Sequence, residues 1–152
     1  CTAGERWRWN GVSFRFLHPH RHFPDLGNDS SCVLLVTAGA HRLLLPGDIG
    51  AVIESRLLAD PDVRNLDVLV VPHHGSRHSS GAAFVAATRP RFAIAPAGFG
   101  NRFGHPAPEV IARYQAAGST WFDTGRDGLV SVRLGGDSPE PVRWRITERR
   151  YW

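Results

Sequence analysis

Histidine and acidic side chains follow two apolar segments of this chain. His73 and His74 come after the apolar run of residues 66–71, and Asp48 comes after residues 43–45 through a Pro-Gly pair. Imidazole is the commonest metal ligand in proteins, and a carboxylate can bind a metal or act as a base. We therefore expect Asp48 and His74 to bind a metal. His73 is expected either to share that metal or to donate to a phosphate oxygen.

Two residues of these motifs also have purely structural interpretations. Asp48 is placed to cap a helix beginning at Ile49, since Asp is a preferred N-cap residue, and that role is compatible with metal binding. Ser76, two residues after the His pair, is a candidate contact for the same anion, or simply a turn-forming serine. No acid or base is spaced to make Ser76 a triad nucleophile, which argues against serine hydrolysis.

A third histidine lies between a glycine and a proline before a predicted helix. His105 is a candidate metal ligand, acid–base group or phosphate contact near the helix N-terminus, the alternative being an ordinary loop histidine. Asn101 and Arg102 beside it, and Arg77 beside the His pair, add phosphate-binding character. The candidate site therefore draws on three separate segments of the chain.

Residues 18–25 contain three histidines and an aspartate, which gives them the composition of a metal site. Two prolines and the lack of a regular element make the geometry of this segment unpredictable. We interpret it as a surface loop that borders the cleft.

The hydrophobic pattern predicts which elements position these residues. Two hairpins come first, at residues 7–17 with a turn at Asn10-Gly11 and at residues 31–45. Helices are predicted at 49–58, 80–88 and 108–117, the last ended by Gly118, and strands at 66–71, 91–95, 120–122, 129–134 and 142–146. This order predicts a layered α/β domain with functional groups at strand ends.

Length and composition are those of a globular domain. The 152 residues suffice for one ordinary core, and no apolar run approaches the roughly 18 residues that a membrane span needs. All 18 basic residues are Arg and the net charge is +4, which favours a polyanionic partner, although codon bias explains the missing Lys equally well. The chain contains no Met, so we expect it to be a domain, or part of one, from a longer protein.

The two cysteines, Cys1 and Cys32, lack metal-site spacing. Each lies beside a predicted strand, so either a disulfide or two separate thiols is consistent with the sequence. A disulfide would indicate an oxidising compartment outside the cytosol.

Taken together, these motifs resemble the metallo-β-lactamase superfamily. More narrowly, they resemble the carboxy-terminal metallo-β-lactamase-like domain of the ComEC DNA-uptake proteins of competent bacteria. The most specific feature is the spacing between the Pro-His-His-Gly-Ser and Gly-His-Pro motifs. The matching segments follow the family's order and cover nearly the whole chain, as residues 1–19, 28–34, 44–48, 67–76 and 101–106.

The resemblance implies an αββα sandwich with a site for two divalent metals, zinc or manganese. Asp48 would match the bridging aspartate, and one of His73 and His74 would match the last histidine ligand. Asn28 would face the site at a position where related hydrolases have another histidine. The implied location is a soluble domain of a bacterial inner-membrane protein, on the periplasmic or extracellular side, which agrees with a disulfide.

This chain departs from the family in one large respect. The His-x-(His/Asp)-x-Asp-His motif of the amino-terminal half is absent, so residues 1–152 are expected to form only the carboxy-terminal part of the sandwich. A lone Asp with one or two His falls short of the four ligands, about three of them from protein, that zinc takes even in catalytic sites. We expect this fragment alone to be inactive, with its metal site incomplete or empty until the rest of the domain completes it.

The function that this resemblance implies is metal-dependent hydrolysis of DNA during natural transformation, in a domain attached to a membrane channel. The partner would be the DNA phosphate backbone, with Asp48 as a catalytic aspartate that bridges the metals and orients the nucleophile. His73 and His105, with Arg77 and Arg102, would stabilise charge on the phosphate. The alternatives are a hydrolase of small phosphoesters and a non-catalytic module that guides DNA to the channel.

Overall fold

The computed structural model describes residues 1–147, and its centre is a mixed seven-stranded β-sheet whose strands lie in sequence order. The first four strands pair antiparallel, and the fourth to the seventh pair parallel. The strands are β1 (Arg6–Trp9), β2 (Val12–His18), β3 (Val33–Ala38), β4 (His41–Leu45), β5 (Val68–Val70), β6 (Phe92–Ala95) and β7 (Thr120–Asp123).

Three helices form the crossovers that parallel pairing requires. They are α1 (Ala51–Leu57), α2 (Ala82–Thr88) and α3 (Pro108–Ala116), and each joins two neighbouring parallel strands. The chain then adds the single turn α4 (Thr124–Asp127), the hairpin β8 (Val130–Arg133) and β9 (Glu140–Arg143), and the single turn α5 (Trp144–Thr147). None of the helices in residues 1–147 has the length and apolar character to span a membrane.

One face of the sheet, which we call the helix face, packs against the three crossover helices. Leu44 and Leu69 are in register on adjacent strands and are fully buried there. Ile53 of α1, Phe84 of α2 and Val110 of α3 belong to the same buried cluster. Strands buried in this way read as short apolar runs, and this is why the sequence predicts them.

The opposite face, which we call the hairpin face, is covered over only part of its width. Val68 and Phe92 pack in a second cluster with Val130 and Val132 of β8. Towards β1 the same face is partly open: Trp7 stacks on Phe14 with ring centroids 5.0 Å apart and remains 42% exposed.

Most predicted elements are present, with two corrections. The helix expected from Ile49 begins at Ala51 with Gly50 as its N-cap and no side-chain cap bond, so Asp48 does not cap it. The strand expected over residues 142–146 ends at Arg143, and Trp144 begins the turn α5. The mixed α/β class expected from the sequence is confirmed.

A disulfide links Cys1 to Cys32, with their Cα atoms 6.0 Å apart. It connects the segment before β1 to the residue that precedes β3. Of the two alternatives that the sequence left open, a disulfide or two separate thiols, the structure has the disulfide.

Candidate functional site

The functional residues predicted from sequence come together at one edge of the sheet, which we call the site edge. Because β4, β5 and β6 are parallel, the loops that follow them leave at the same edge. Open α/β sheets bind their ligands outside the carboxyl ends of parallel strands. The antiparallel β3 begins at this edge, since Leu34 pairs with Leu45, and the segment before β3 therefore lies there too.

Asp48 and His74 approach each other at the site edge. The Nε2 atom of His74 lies 3.5 Å from Oδ1 of Asp48. The Nδ1 atom of His74 bonds to the carbonyl oxygen of Pro96 at 2.7 Å. A carbonyl only accepts, so Nδ1 carries a proton and Nε2 is the nitrogen directed towards Asp48. Both side chains are open to solvent, at 47% and 37% exposure.

The His pair has an unusual backbone conformation. His73, His74 and Gly75 all have positive φ, at 50°, 57° and 83°. Non-glycine residues reach this region at a cost, and such conformations concentrate at functional sites. Main-chain bonds hold it in place: the amide of His73 donates to Gly47 O at 3.0 Å, and Ala107 N donates to Gly75 O at 2.9 Å.

Asn28 contacts the first histidine of the pair. Its Nδ2 donates to Nε2 of His73 at 3.2 Å. Ser31 continues the contact, since its Oγ donates to Asn28 O at 2.7 Å and accepts from the amide of Asp48 at 3.1 Å. Asp29 Oδ1 accepts from Gly50 N at 2.8 Å at the start of α1. The sequence alone does not single out Asp29, which falls in a predicted loop, or Ser31, which begins the second predicted hairpin.

His105 lies beside His73, with ring centroids 6.0 Å apart. Burial lowers the pKa of the His105 imidazole, and the neighbouring charges of His73, His74 and Arg77 lower it further. Its Nδ1 atom is buried and has no hydrogen-bond partner within residues 1–147. A neutral imidazole at this point of the site edge can accept a proton or a hydrogen bond.

The other predicted phosphate contacts are Ser76, Arg77 and Arg102. Ser76 is buried, and its Oγ accepts from the amide of His78 at 3.3 Å, which favours the turn-forming interpretation. Arg77 and Arg102 are exposed. Over the part of the chain that the structure describes, neither forms a salt bridge. Both are therefore available to an anion.

A buried carboxylate supports the loop that follows the His pair. Glu54 of α1 is 1% exposed and accepts hydrogen bonds from the amides of Ser80 and Gly81. Burial raises the pKa of Glu54, while the two amide bonds act in the opposite direction. Tyr114 OH bonds to Ser80 Oγ at 3.1 Å. The signal in the sequence is an acidic residue on the apolar face of α1, between Ile53 and Leu57.

The histidine-rich residues 18–25 run from the last residue of β2 into a loop that borders the site edge. His18 is buried, and its Nε2 bonds to Asp29 O at 2.8 Å. His20 and His22 are exposed. This agrees with the surface-loop interpretation.

Residues 1–147 do not form a complete metal centre. Asp48 and His74 supply two convergent donors, and His73 Nε2 is engaged by Asn28. Within residues 1–147 no group of three or more His, Cys, Asp or Glu side chains is placed to hold a metal ion. A zinc site takes about three protein ligands even when it is catalytic, so further ligands would have to come from outside these residues.

Comparison with known proteins shows relatives over nearly the whole chain. No family model matches. The chain is 37% identical over 152 residues, 99% of its length, to Competence protein ComA of Neisseria gonorrhoeae. It is 34% identical over 151 residues to Uncharacterized protein YcaI of Escherichia coli and 35% identical over 140 residues to Recombination protein 2 of Haemophilus influenzae.

The chain spans only a small part of these relatives, at 22%, 19% and 18% of their lengths. Each match nevertheless covers at least 92% of this chain. The chain is therefore homologous to one segment of much longer proteins.

Proposed function

We propose that this chain, homologous to a segment of competence proteins, is part of a metal-dependent DNA-hydrolysing domain of a ComEC-type protein that acts in DNA uptake. The relatives named for competence and recombination support a role in DNA uptake during transformation. We infer hydrolysis of DNA from the residues at the site edge.

The observation that carries the proposal is the approach of His74 Nε2 to Asp48 Oδ1, at 3.5 Å, in a cleft open to solvent. The proton on Nδ1 is held by Pro96 O, so Nε2 is directed to where a ligand would bind. A carboxylate and an imidazole directed at one point are a typical part of a divalent-metal site. A hydrolytic site also needs access for substrate, and both side chains are partly exposed.

The remaining residues of the site edge suit a phosphodiester substrate. Arg77 and Arg102, which form no salt bridge within residues 1–147, present guanidinium groups for phosphate oxygens. His73 is oriented by Asn28, and His105, whose pKa burial lowers, can hydrogen-bond to a phosphate oxygen or its leaving group. DNA held in this way through its phosphates would bind less tightly as salt is added.

The missing part of the site is assigned to polypeptide outside residues 1–152. In this proposal that segment supplies the other ligands for two divalent ions, zinc or manganese. It also supplies a second sheet that would complete an αββα sandwich. The partly open hairpin face near Trp7 and Phe14 offers an apolar surface for such a sheet.

The proposed location is the periplasmic or extracellular side of the bacterial inner membrane, with the chain joined to a membrane channel. The Cys1–Cys32 disulfide supports this location, since disulfides persist in oxidising compartments. DNA would reach the site before entering the channel.

The experiment is to measure manganese- and zinc-dependent hydrolysis of DNA by the chain expressed together with the sequence encoded upstream of it. We expect hydrolysis that Asp48→Ala or His74→Ala removes. The matched control is Asp137→Ala, an exposed acid in the β8–β9 turn, which should leave the rate unchanged.

Full activity of either site variant would contradict the roles assigned to Asp48 and His74. Hydrolysis confined to nucleotides or small phosphoesters would instead favour a small-molecule hydrolase. The lack of three convergent ligands in residues 1–147 favours a second candidate, a DNA-guiding module. Salt-sensitive DNA binding with no hydrolysis under any metal condition would select it.

A further inference from the structure

Two phenyl rings stand in solvent on the loop of residues 98–104, which we call the phenyl loop. Phe99 is 86% exposed and Phe103 is 67% exposed. Phenylalanine is ordinarily buried. Exposed apolar groups close together beside a cleft are typical of a surface that binds a ligand or another molecule.

The phenyl loop has a defined conformation. The Nδ2 of Asn101 donates to the carbonyls of Gly98 and His105, and its Oδ1 accepts from the amide of His105 at 3.0 Å. Gly104 N donates to Asn101 O at 3.2 Å. Because one side chain joins both ends of the loop, the rings are displayed on a preformed support. Preformed loops lose less entropy when they bind.

The ring of Phe103 continues the site edge outward. Phe103 stacks on His105 with centroids 5.9 Å apart and planes 21° apart, and His105 lies 6.0 Å from His73. The Arg102 guanidinium lies over the Phe103 ring at 4.9 Å. A planar group that stacks on Phe103 therefore has a cation at hand, and it lies next to the histidines of the site.

Exposed aromatic rings, an arginine and a neighbouring cationic groove form the usual binding surface for single-stranded nucleic acid. Stacking requires a free base face, which the interior of a duplex does not offer. The chain's net charge of +4 and the exposed Arg77 favour the same polyanion.

We propose that Phe99 and Phe103 are base-stacking residues that hold single-stranded DNA beside Asp48 and His74, and so make single strands the preferred substrate. The inference rests on the proposed function in taking DNA as the polymer bound at the site edge. The two can be tested separately, because stacking is a binding property that does not depend on hydrolysis.

The test is fluorescence anisotropy of labelled oligonucleotides with the full chain, in a chelator so that no hydrolysis occurs. Single-stranded oligothymidylate should bind more tightly than a duplex of the same length. Phe99→Ala and Phe103→Ala should each weaken single-strand binding about tenfold, while duplex binding stays unchanged. Phe103→Trp should retain binding, because tryptophan also stacks.

An abasic oligonucleotide supplies the sharpest control, since it keeps the phosphates and removes the bases. Wild-type protein should bind it no better than the double variant Phe99→Ala/Phe103→Ala binds the intact strand. Trp9→Ala is the matched protein control. Trp9 is 69% exposed, but it lies at the end of the sheet opposite the site edge. Its replacement should therefore leave oligonucleotide binding unchanged.

Equal binding of abasic and intact strands, or full binding by the double variant, would overturn the inference. So would phenyl-dependent binding to anionic lipid vesicles in place of DNA. Single-strand binding that depends on the phenyl rings, in a protein that never hydrolyses DNA, would support the inference while the proposed hydrolysis fails. DNA hydrolysis that is indifferent to both rings would do the reverse.

Discussion

The amide of His73 donates to the carbonyl of Gly47 across 3.0 Å, and this single bond joins the loop of Asp48 to the loop of His74. The two candidate metal ligands are thus brought together by a main-chain contact, and the Nε2 atom of His74 and the Asp48 carboxylate face each other in solvent. Support of this kind suits a site that must hold its geometry before substrate arrives.

Gly75 is the first position at which this support can be tested. A Cβ atom at Gly75 would lie 2.5 Å from Pro106 Cβ, and the φ of +83° disfavours any other residue. We expect Gly75→Ala to lower the free energy of unfolding by about 2 kcal/mol or more, because the His74 loop and the His105 loop must separate. Urea denaturation measures the change.

The matched control for Gly75 is Gly135→Ala. Gly135 has no atom within 4 Å of its Cβ position, and its φ is unstrained. Its substitution should change stability by less than about 0.5 kcal/mol. If the two variants were equally stable, the close approach of Gly75 to Pro106 would not contribute to the stability of the fold.

Glu54 provides a second test, of the loop that follows the His pair. Glu54→Ala leaves the buried amide of Ser80 and the partly buried amide of Gly81 without their acceptor, so we expect the free energy of unfolding to fall by about 2 kcal/mol or more in thermal or urea denaturation. Glu109→Ala, an exposed acid in the first turn of α3, is the control and should cost less than about 1 kcal/mol. A Glu54 variant as stable as the Glu109 variant would contradict this role.

The lowered pKa of Asp60 makes the stability of the fold depend on pH. Burial acts to raise the pKa of Asp60, but hydrogen bonds from Arg15, at 2.7 and 3.2 Å, and from the amide of Asp62 outweigh it and lower the pKa from its ordinary 3.8. A lowered folded-state pKa contributes stability above the unfolded-state value, and that contribution is lost as pH falls through the folded-state value.

Asp60→Asn should therefore be less stable than the wild type at neutral pH, and the difference should shrink below about pH 4. Denaturation curves collected from pH 7 downward measure it, with the exposed Asp137→Asn as control. A difference that does not change with pH would mean that the Asp60 carboxylate contributes through shape alone.

The sequence predicts most strands because their burial leaves a direct pattern. Leu44 and Leu69 are apolar since both lie under the helices, and the two loops after their strands meet because the strands are parallel. That reasoning brings Asp48 and His74 together without knowledge of the fold. It fails for residues 142–146, where alternation continues although β9 ends at Arg143, opposite Val130 at the start of β8.

The supporting residues could not be found in the same way. Ser31, Asp29 and Glu54 act on groups 17, 21 and 26 residues away in sequence, so no local pattern connects them to their partners. Their side chains satisfy backbone amides in loops, a requirement that appears only once the fold fixes which amides lack a partner. Phe103, by contrast, lies only two residues from the predicted His105, yet it stands out as an exposed aromatic only in the structure.

The parallel order of β4 to β6 means that no short stretch of the chain contains the site. Its parts run from Asn28 to His105, and each crossover must form before the next contributor reaches the edge. Contacts so distant in sequence carry a large loop-closure entropy and form late in folding. A partly folded or cleaved chain would therefore lack the site, and binding competence would appear only with the completed sheet.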